Sequence, residues 1–229
     1  MNKGNDELTK AKWQDLHKFG PPQQYPSECV IRWVFSSFPR AGAGETTILD
    51  LGAGSGRHSV FMARNGYQVI ASDSAKGPLD DLKIIAEEEG LEIKYDHAPA
   101  EAQNTPSNSV DGVISFGVLY YLSLESMKTA VAEIYRVLKP GGQVFIMMKN
   151  SNDIRTKIAK KIDDYTYLID KSNEDNSWHN ERGMCLTLLP KQQIENIFKS
   201  FSKVTIDEET YTTHGGEVVE CSWHLYLVK

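Results

Sequence analysis

Glycines that follow a short apolar run are the first residues of this sequence that could do chemistry. The apolar run of residues 46–51 ends in Asp50-Leu51, and Gly52-Ala53-Gly54-Ser55-Gly56 follows directly. Glycines allow a tight turn and let backbone N–H groups approach a ligand closely, as in loops that bind nucleotides. A dinucleotide site has the spacing G-x-G-x-x-G, and its third glycine would stand where this chain has Arg57. The spacing here is G-x-G-x-G, which disfavours a dinucleotide and, with it, a nicotinamide-dependent oxidoreductase.

Two acidic residues near the loop narrow the choice of ligand. Asp50 lies two residues before Gly52, where a carboxylate repels a pyrophosphate but suits an ammonium group. Asp73 closes the next apolar run, about 20 residues beyond the loop, where an acidic side chain can accept hydrogen bonds from both ribose hydroxyls. The predicted ligand therefore has a ribose and a cationic part but no diphosphate. S-adenosylmethionine meets this description.

A third motif, Arg136-Val137-Leu138-Lys139-Pro140-Gly141-Gly142, follows a long amphipathic helical pattern. With the glycine loop and Asp73, it resembles class I S-adenosylmethionine-dependent methyltransferases, in particular the small-molecule enzymes of the type-11 (UbiE-like) and tellurite-resistance-like groups. The resemblance covers residues 46–149 well and the last two predicted strands loosely. It implies a Rossmann-like fold, methyl transfer as the reaction and S-adenosylmethionine as the cofactor.

The resemblance also implies roles for individual residues around the cofactor. Asp50, Gly52 and Gly54 would line its methionine part, with Asp50 near the ammonium group. Asp73 would hold the ribose, and Ser74 would lie beside the adenine.

Two further stretches would contact the adenine and the methyl group. Where the family has G-D-A-E after the third strand, this chain has Ala98-Pro99-Ala100-Glu101, so one expected hydrogen bond to the exocyclic amine is lost. The Ala100 backbone N–H could still reach a ring nitrogen, and Glu101 could compensate. Ser115 and Phe116, at the end of the fourth predicted strand, match the position that faces the methionine part and the transferring methyl.

A general base is needed only if the acceptor is a hydroxyl or a protonated amine. Three side chains are candidates for a catalytic role: His179 in the polar stretch after the fifth predicted strand, His214 in the last connection, and Tyr25 in a proline- and aromatic-rich segment that could close over the acceptor. Each is equally compatible with a surface or packing role. Tyr120 and Tyr121 could form a pocket wall or ordinary core.

The elements that must position these residues follow from the hydrophobic pattern. From residue 46 onward, apolar runs alternate with helical patterns, ending in the runs KVTIDE and SWHLYLV. Near-continuous apolar strands between helices predict an α/β fold, here a Rossmann-like, doubly wound, seven-stranded and mostly parallel sheet. The last connection is too short for a crossover helix, so the last strand is predicted to be antiparallel.

Domain boundaries follow from the same alternation. Residues 1–45 lie outside it and are predicted to form an N-terminal helical cap. Residues 46–229 are predicted to form the methyltransferase domain, with residues 149–185 as an insertion that covers the acceptor site.

Composition excludes several classes of partner. With 25 Lys+Arg against 31 Asp+Glu the net charge is -6, whereas general binding to nucleic acid requires a basic excess. The stretch after the fourth predicted strand also lacks the D/N-P-P-Y/F motif of nucleic-acid methyltransferases, so a small-molecule acceptor is expected. Three scattered cysteines indicate neither a disulfide framework nor a metal site. The sequence shows no signal peptide and no apolar run long enough to span a membrane, which predicts a cytoplasmic protein.

These patterns predict a methyltransferase that acts on an oxygen or nitrogen of a small molecule, such as a sugar or a natural-product or metabolite intermediate. A thiol or metalloid methyltransferase stays open as an alternative. So does a non-catalytic S-adenosylmethionine-binding subunit of another protein. The acceptor and the oligomeric state are not encoded in these patterns.

Overall fold

The computed structural model of the chain describes residue 12, residues 24–169 and residues 181–229. Its strands are β1 (Thr47–Leu51), β2 (Gln68–Asp73), β3 (Ile93–His97), β4 (Val110–Phe116), β5 (Leu138–Lys149), β6 (Lys160–Lys161), β7 (Thr166–Leu168), β8 (Cys185–Thr187), β9 (Lys203–Thr213) and β10 (Val218–Val228).

Helices connect and cover these strands. They are α1 (Glu28–Ser37), α2 (Arg57–Arg64), α3 (Lys76–Glu89), α4 (Leu124–Val137), α5 (Arg155–Ile158) and α6 (Lys191–Ile197), with 3₁₀ helices at Arg40–Glu45, Leu119–Tyr121 and His214–Gly216. No helix among the described residues is both long enough and apolar enough to cross a membrane.

Seven strands form one sheet in the order β3-β2-β1-β4-β5-β10-β9. The strands from β3 to β5 pair in parallel, and β10 runs antiparallel to both β5 and β9. This topology confirms the predicted doubly wound, mostly parallel sheet and its antiparallel last strand. From β1 the chain adds β2 and β3 on one side and then returns to add β4 and β5 on the other side of β1. In sheets of this kind, ligands bind at the edge where the two strands beside this switch point, β1 and β4, end.

Successive residues of the central strands enter opposite hydrophobic layers, which is why these strands read as unbroken apolar runs. Leu49, for example, packs with α4 and α6, while its neighbour Ile48 packs with α1 and α2. Within β5, Val144 and Phe145 separate in the same way. The N-terminal helix α1 therefore belongs to the core of the domain, since its Trp33 ring lies 6.0 Å from that of Phe145.

The structure departs from the sequence-based expectation after β5. Residues 149–185 contain β6, β7 and the first residue of β8, which ends at Thr187. These three short strands form a second antiparallel sheet in the order β6-β7-β8. This small sheet contacts the 3₁₀ helix that follows β4, where the Thr187 hydroxyl donates to the Leu122 carbonyl at 2.6 Å. No strand was predicted from the sequence in this stretch, because these strands are only two or three residues long.

Candidate active site

The carboxyl ends of β1, β2 and β4 bring the sequence-predicted cofactor residues to one edge of the sheet. Strand register places Asp50 opposite both Ala71 and Ile114, and Asp73 opposite His97. The glycine loop leaves β1 at this edge, and Phe116 ends β4 beside it.

The backbone of the glycine loop adopts a conformation that is unfavourable for residues with a side chain. Gly52, Gly54 and Gly56 have φ values of +75°, +53° and +84°, in the left-handed region that favours glycine. The N–H groups of Gly52 and Ala53 both donate to the Ser72 carbonyl, at 2.7 and 2.9 Å. A Cβ on Gly52 would lie 2.2 Å from the Val118 side chain, so the chain after β4 approaches the loop as closely as a glycine permits.

Gly56 serves the packing of α2. It precedes the first helical residue, Arg57, and a Cβ at Gly56 would lie 2.2 Å from the Leu82 side chain on α3. The third glycine of this G-x-G-x-G loop thus allows close packing between the two helices that follow β1 and β2.

Asp73 ties the end of β2 to the glycine loop. Its Oδ2 accepts the Gly54 N–H at 2.9 Å, and its Oδ1 accepts the Ala75 N–H at 2.8 Å. A carboxylate has about four acceptor sites, so both oxygens retain capacity for further donors, such as ribose hydroxyls. Asp73 and the neighbouring Ser74 are partly exposed, which leaves them accessible to a ligand.

Asp50 lies beneath the loop, 2% exposed. Its Oδ2 accepts the Ser59 hydroxyl at 2.6 Å. Burial is the main cause that raises the pKa of Asp50 to about 6, with the Asp73 charge adding to the rise and the Ser59 bond opposing it. No described cation makes an ion pair with Asp50, so the site carries a buried carboxyl group that an added positive charge would stabilise.

Ser115 and Phe116 lie at the end of β4 in different environments. The Ser115 hydroxyl oxygen is fully buried and has no hydrogen-bond partner among the described residues. Phe116 is partly exposed. The Arg57 guanidinium lies 5.0 Å from the centre of its ring, and the His58 ring lies 5.0 Å from it on centroids.

His58 links this site to the N-terminal segment. Its Nε2 accepts the Ser27 N–H at 3.3 Å, so its ring proton is on Nδ1. Burial, aided by the Arg57 charge, lowers the pKa of His58 to about 3. The imidazole is therefore neutral and a poor base. From the sequence alone, its place beside Phe116 is indicated only by its position two residues after the loop.

The stretch expected at the adenine follows β3. The Ala98 N–H donates to the Asp73 carbonyl at 3.1 Å, which brings this stretch to the end of β2. Ala100 is buried and Glu101 is half-buried. The His97 ring contacts the Ser74 carbonyl at 3.1 Å. The structure thus brings together the residues that sequence reasoning placed around one ligand.

Of the three catalytic candidates, the structure describes Tyr25 and His214, and neither makes a hydrogen bond or ring contact with the described cofactor residues. Tyr25 is close in sequence to Ser27, which contacts His58, but its side chain is 82% exposed. His214 is exposed in the connection between β9 and β10, with a φ of +50°, and the sheet order places β5 between this connection and β4. His179 lies outside the described residues. No contact in the described residues assigns a general base.

Sequence reasoning missed a buried polar chain next to this edge. Tyr120 donates to Tyr121, which donates to Glu181, which accepts from Arg155. All four residues are less than 10% exposed. The adjacent tyrosines were visible in the sequence, but the carboxylate partner, Glu181, lies 60 residues further along, where no local pattern points to it.

The donor set of the edge fits S-adenosylmethionine. A loop without side chains at Gly52 and Gly54 can admit the methionine part, Asp73 has free acceptor capacity for the ribose, and Asp50 is a buried carboxyl group suited to a nearby ammonium. The fit rests on chemistry that the residues present supply.

Comparison with known proteins agrees with this fit. Residues 48–142 match the family described as "Methyltransferase domain". A ubiquinone biosynthesis O-methyltransferase of Ruegeria sp. (strain TM1040) is 38% identical over 159 residues, covering 64% of this chain and 62% of the relative. One from Ruegeria pomeroyi is 31% identical over 155 residues, with the same coverage. The chain thus spans less than two thirds of the length of these curated relatives.

A solved structure extends the agreement to the whole sheet. The Burkholderia thailandensis 1,6-didemethyltoxoflavin-N1-methyltransferase with bound 1,6-didemethyltoxoflavin and S-adenosylhomocysteine superposes with a TM-score of 0.58 at 17% identity, covering 92% of both chains. At this identity the likeness concerns the fold alone. The sequence match places a methyltransferase domain at residues 48–142, and the structural match shows that the chain has the fold of solved S-adenosylmethionine-dependent methyltransferases.

Proposed function

We propose that this chain transfers a methyl group from S-adenosylmethionine to an oxygen or nitrogen of a small molecule. The observation that supports this most is the clamp between the glycine loop and Asp73, which leaves acceptor capacity on the carboxylate and a side-chain-free path along Gly52 and Gly54. In this proposal Asp50 faces the ammonium, Ser74, Ala100 and Glu101 surround the adenine, and Ser115 and Phe116 border the methyl group.

When bound, S-adenosylmethionine supplies a methyl group on a positively charged sulfur, which leaves as a neutral thioether. The chain's own contribution is to hold the acceptor in line with that methyl, and such positioning is worth up to roughly 7–11 kcal/mol. His58 is neutral and its Nε2 is already engaged by Ser27, so it contributes to the shape of the site rather than to proton transfer.

An oxygen acceptor is favoured over nitrogen because the matching curated relatives are named O-methyltransferases. The small sheet β6-β7-β8 packs against the 3₁₀ helix after β4. We place the acceptor between this sheet and the N-terminal segment that holds Tyr25 and Ser27, with residues 149–185 as its cover. The net charge of -6 makes nucleic acid a poor acceptor.

The direct test combines binding with turnover. Calorimetry should show binding of S-adenosylmethionine and S-adenosylhomocysteine, and incubation with a panel of small phenols, alcohols, sugars, amines and thiols should release S-adenosylhomocysteine with hydroxyl acceptors. Turnover confined to thiols would replace this proposal with a thiol methyltransferase. Cofactor binding with no turnover on any member would favour a non-catalytic subunit.

Asp73→Ala tests the assignment of the ribose. Removing the carboxylate deletes the charged acceptor for the ribose and releases the Gly54 N–H, so we expect cofactor affinity to fall by about 1–3 kcal/mol, or roughly 5- to 150-fold. Asp73→Asn, which keeps one acceptor oxygen, should lose less. An unchanged dissociation constant in calorimetry for Asp73→Ala would place the ribose elsewhere.

A further inference from the structure

Tyr120 and Tyr121 form a buried pair directly after the cofactor edge of β4. Their rings lie 4.2 Å apart on centroids, and their hydroxyl oxygens are 3.0 Å apart. Tyr121 is in turn 2.6 Å from Oε1 of Glu181. Burial is the main cause that raises the pKa of both tyrosines, so both hydroxyls keep their protons at neutral pH.

The carboxylate fixes the direction of every proton in this chain of hydrogen bonds. An ionised carboxylate only accepts, so Tyr121 must donate its single hydroxyl proton to Glu181. Tyr120 must then donate its own proton to Tyr121. The oxygen of Tyr120 is left with acceptor capacity, and no described residue donates to it.

Glu181 is held in place by a charged cluster, so this direction is stable. Its Oε2 accepts from Arg155 Nε at 2.6 Å, and Arg155 Nη1 also contacts Asp153 Oδ1 at 3.0 Å. Asp153 is fully buried, and its other oxygen accepts the Cys221 N–H at 2.9 Å. The buried Arg155–Glu181 ion pair thus occupies Oε2 and leaves Oε1 as the oxygen that accepts from Tyr121.

The position of the pair places it between the cofactor loop and the small sheet. The side chain of Val118, two residues before Tyr120, lies so close to Gly52 that no Cβ would fit there. On the other side, Leu122 accepts the Thr187 hydroxyl of β8. The Tyr120 hydroxyl donates to Tyr121 and the residue is 5% exposed, so the remaining lone pair of its oxygen is available to a donor that enters beside this pair.

We propose that the Tyr120 oxygen accepts a hydrogen bond from an O–H or N–H of the methyl acceptor, and so selects molecules that carry this donor. Tyr121, Glu181 and Arg155 are positioning residues that act through Tyr120. This inference rests on the proposed function and deepens it by naming the feature that the acceptor must have. A methylated product has lost its O–H, so the same contact distinguishes acceptor from product.

The test uses two fluorescent probes that differ only in that proton. 2-Naphthol carries an O–H, and 2-methoxynaphthalene is its methyl ether. In fluorescence titrations with the full chain saturated with S-adenosylhomocysteine, we expect 2-naphthol to bind about tenfold more tightly, the gain typical of one hydrogen bond. Tyr120→Phe should abolish this preference and leave S-adenosylhomocysteine affinity unchanged.

Two variants separate positioning from stability. Tyr121→Phe frees the Tyr120 proton to point elsewhere, so the preference should shrink while the fold is kept. Tyr135→Phe is the matched control, since its ring packs on Phe201 away from the pair, and it should keep the wild-type preference.

Each outcome decides between the two proposals. Equal affinities for the two probes in the wild type, including no binding of either, would overturn the inference and leave the proposed function standing. A wild-type preference retained in Tyr120→Phe would overturn it as well. Failure of S-adenosylhomocysteine to bind would instead overturn the proposed function, and the inference with it.

Discussion

Asp50→Asn should make the ligand-free chain more stable above pH 6 and at the same time weaken cofactor binding. Burial raises the pKa of Asp50 from 3.8 to about 6, so the folded chain holds this proton at pH values where the unfolded chain has lost it. The contribution of this proton to the free energy of unfolding is therefore fully present below pH 3.8 and is lost as the pH rises through 6. Above that pH the buried charge costs at most about 3 kcal/mol, and an amide that can still accept from Ser59 removes this cost.

Chemical denaturation of both proteins from pH 4 to pH 8 would measure the effect. The variant's advantage should grow between pH 4 and pH 6 and then level off. An Asp80→Asn control changes a surface carboxylate with a 57% exposed side chain and should leave the pH profile as it is. Parallel profiles for Asp50→Asn and wild type would show that Asp50 titrates normally.

The cofactor should reverse this ranking. A ligand ammonium beside Asp50 adds a second positive charge to that of Arg57, which already lowers the pKa of Asp50, so binding lowers this pKa further and releases a proton. Wild-type affinity for S-adenosylmethionine should therefore fall as the pH drops below 6. In Asp50→Asn the affinity should be at least tenfold weaker at pH 8 and independent of pH in this range, as calorimetry would show.

The sheet was predictable because its central strands are buried on both faces. β4 coincides with the run Val110–Phe116, and α3 ends directly before Gly90, a residue type that commonly follows the end of a helix. The start of β5 is not indicated by the sequence. Leu138 pairs with Val110 across an irregularity in register, so the strand begins as soon as α4 ends, through a Pro-Gly-Gly stretch that favours a loop when taken alone.

The small sheet and the tyrosine chain were beyond sequence reasoning for a physical reason. β6 consists of Lys160 and Lys161, both exposed, and such strands form through contacts with the rest of the fold rather than from their own pattern. Glu181 and Arg155 are charged residues in a polar stretch, and only the folded chain brings them to Tyr121. The same reason limited the choice of a base, because residue type selected His214 and Tyr25 but could not indicate their distance from β4.

Gly52→Ala should disrupt the cofactor site more strongly than any other change of similar size. The residue has a φ of +75°, which costs an alanine about 1 kcal/mol. The new Cβ would also lie 2.2 Å from Val118 Cγ2 and 3.1 Å from its Cγ1, so either the loop or the chain after β4 must move. We expect overpacking to bring the loss of stability to about 2–4 kcal/mol. Cofactor affinity should fall at least a hundredfold, because the displaced loop no longer presents the Gly54 N–H to Asp73.

Two comparison variants separate the strain from the clash. Gly90 has a φ of +65°, and a Cβ at this residue would meet nothing within 4 Å, so Gly90→Ala should show the backbone strain alone and leave cofactor affinity intact. Val118→Ala combined with Gly52→Ala removes the colliding methyls and should recover most of the cofactor affinity. The remaining loss of stability should equal the backbone strain measured with Gly90→Ala. If the double variant binds as poorly as Gly52→Ala, the collision with Val118 is not what closes the site, and the left-handed backbone at Gly52 must itself be what the cofactor requires.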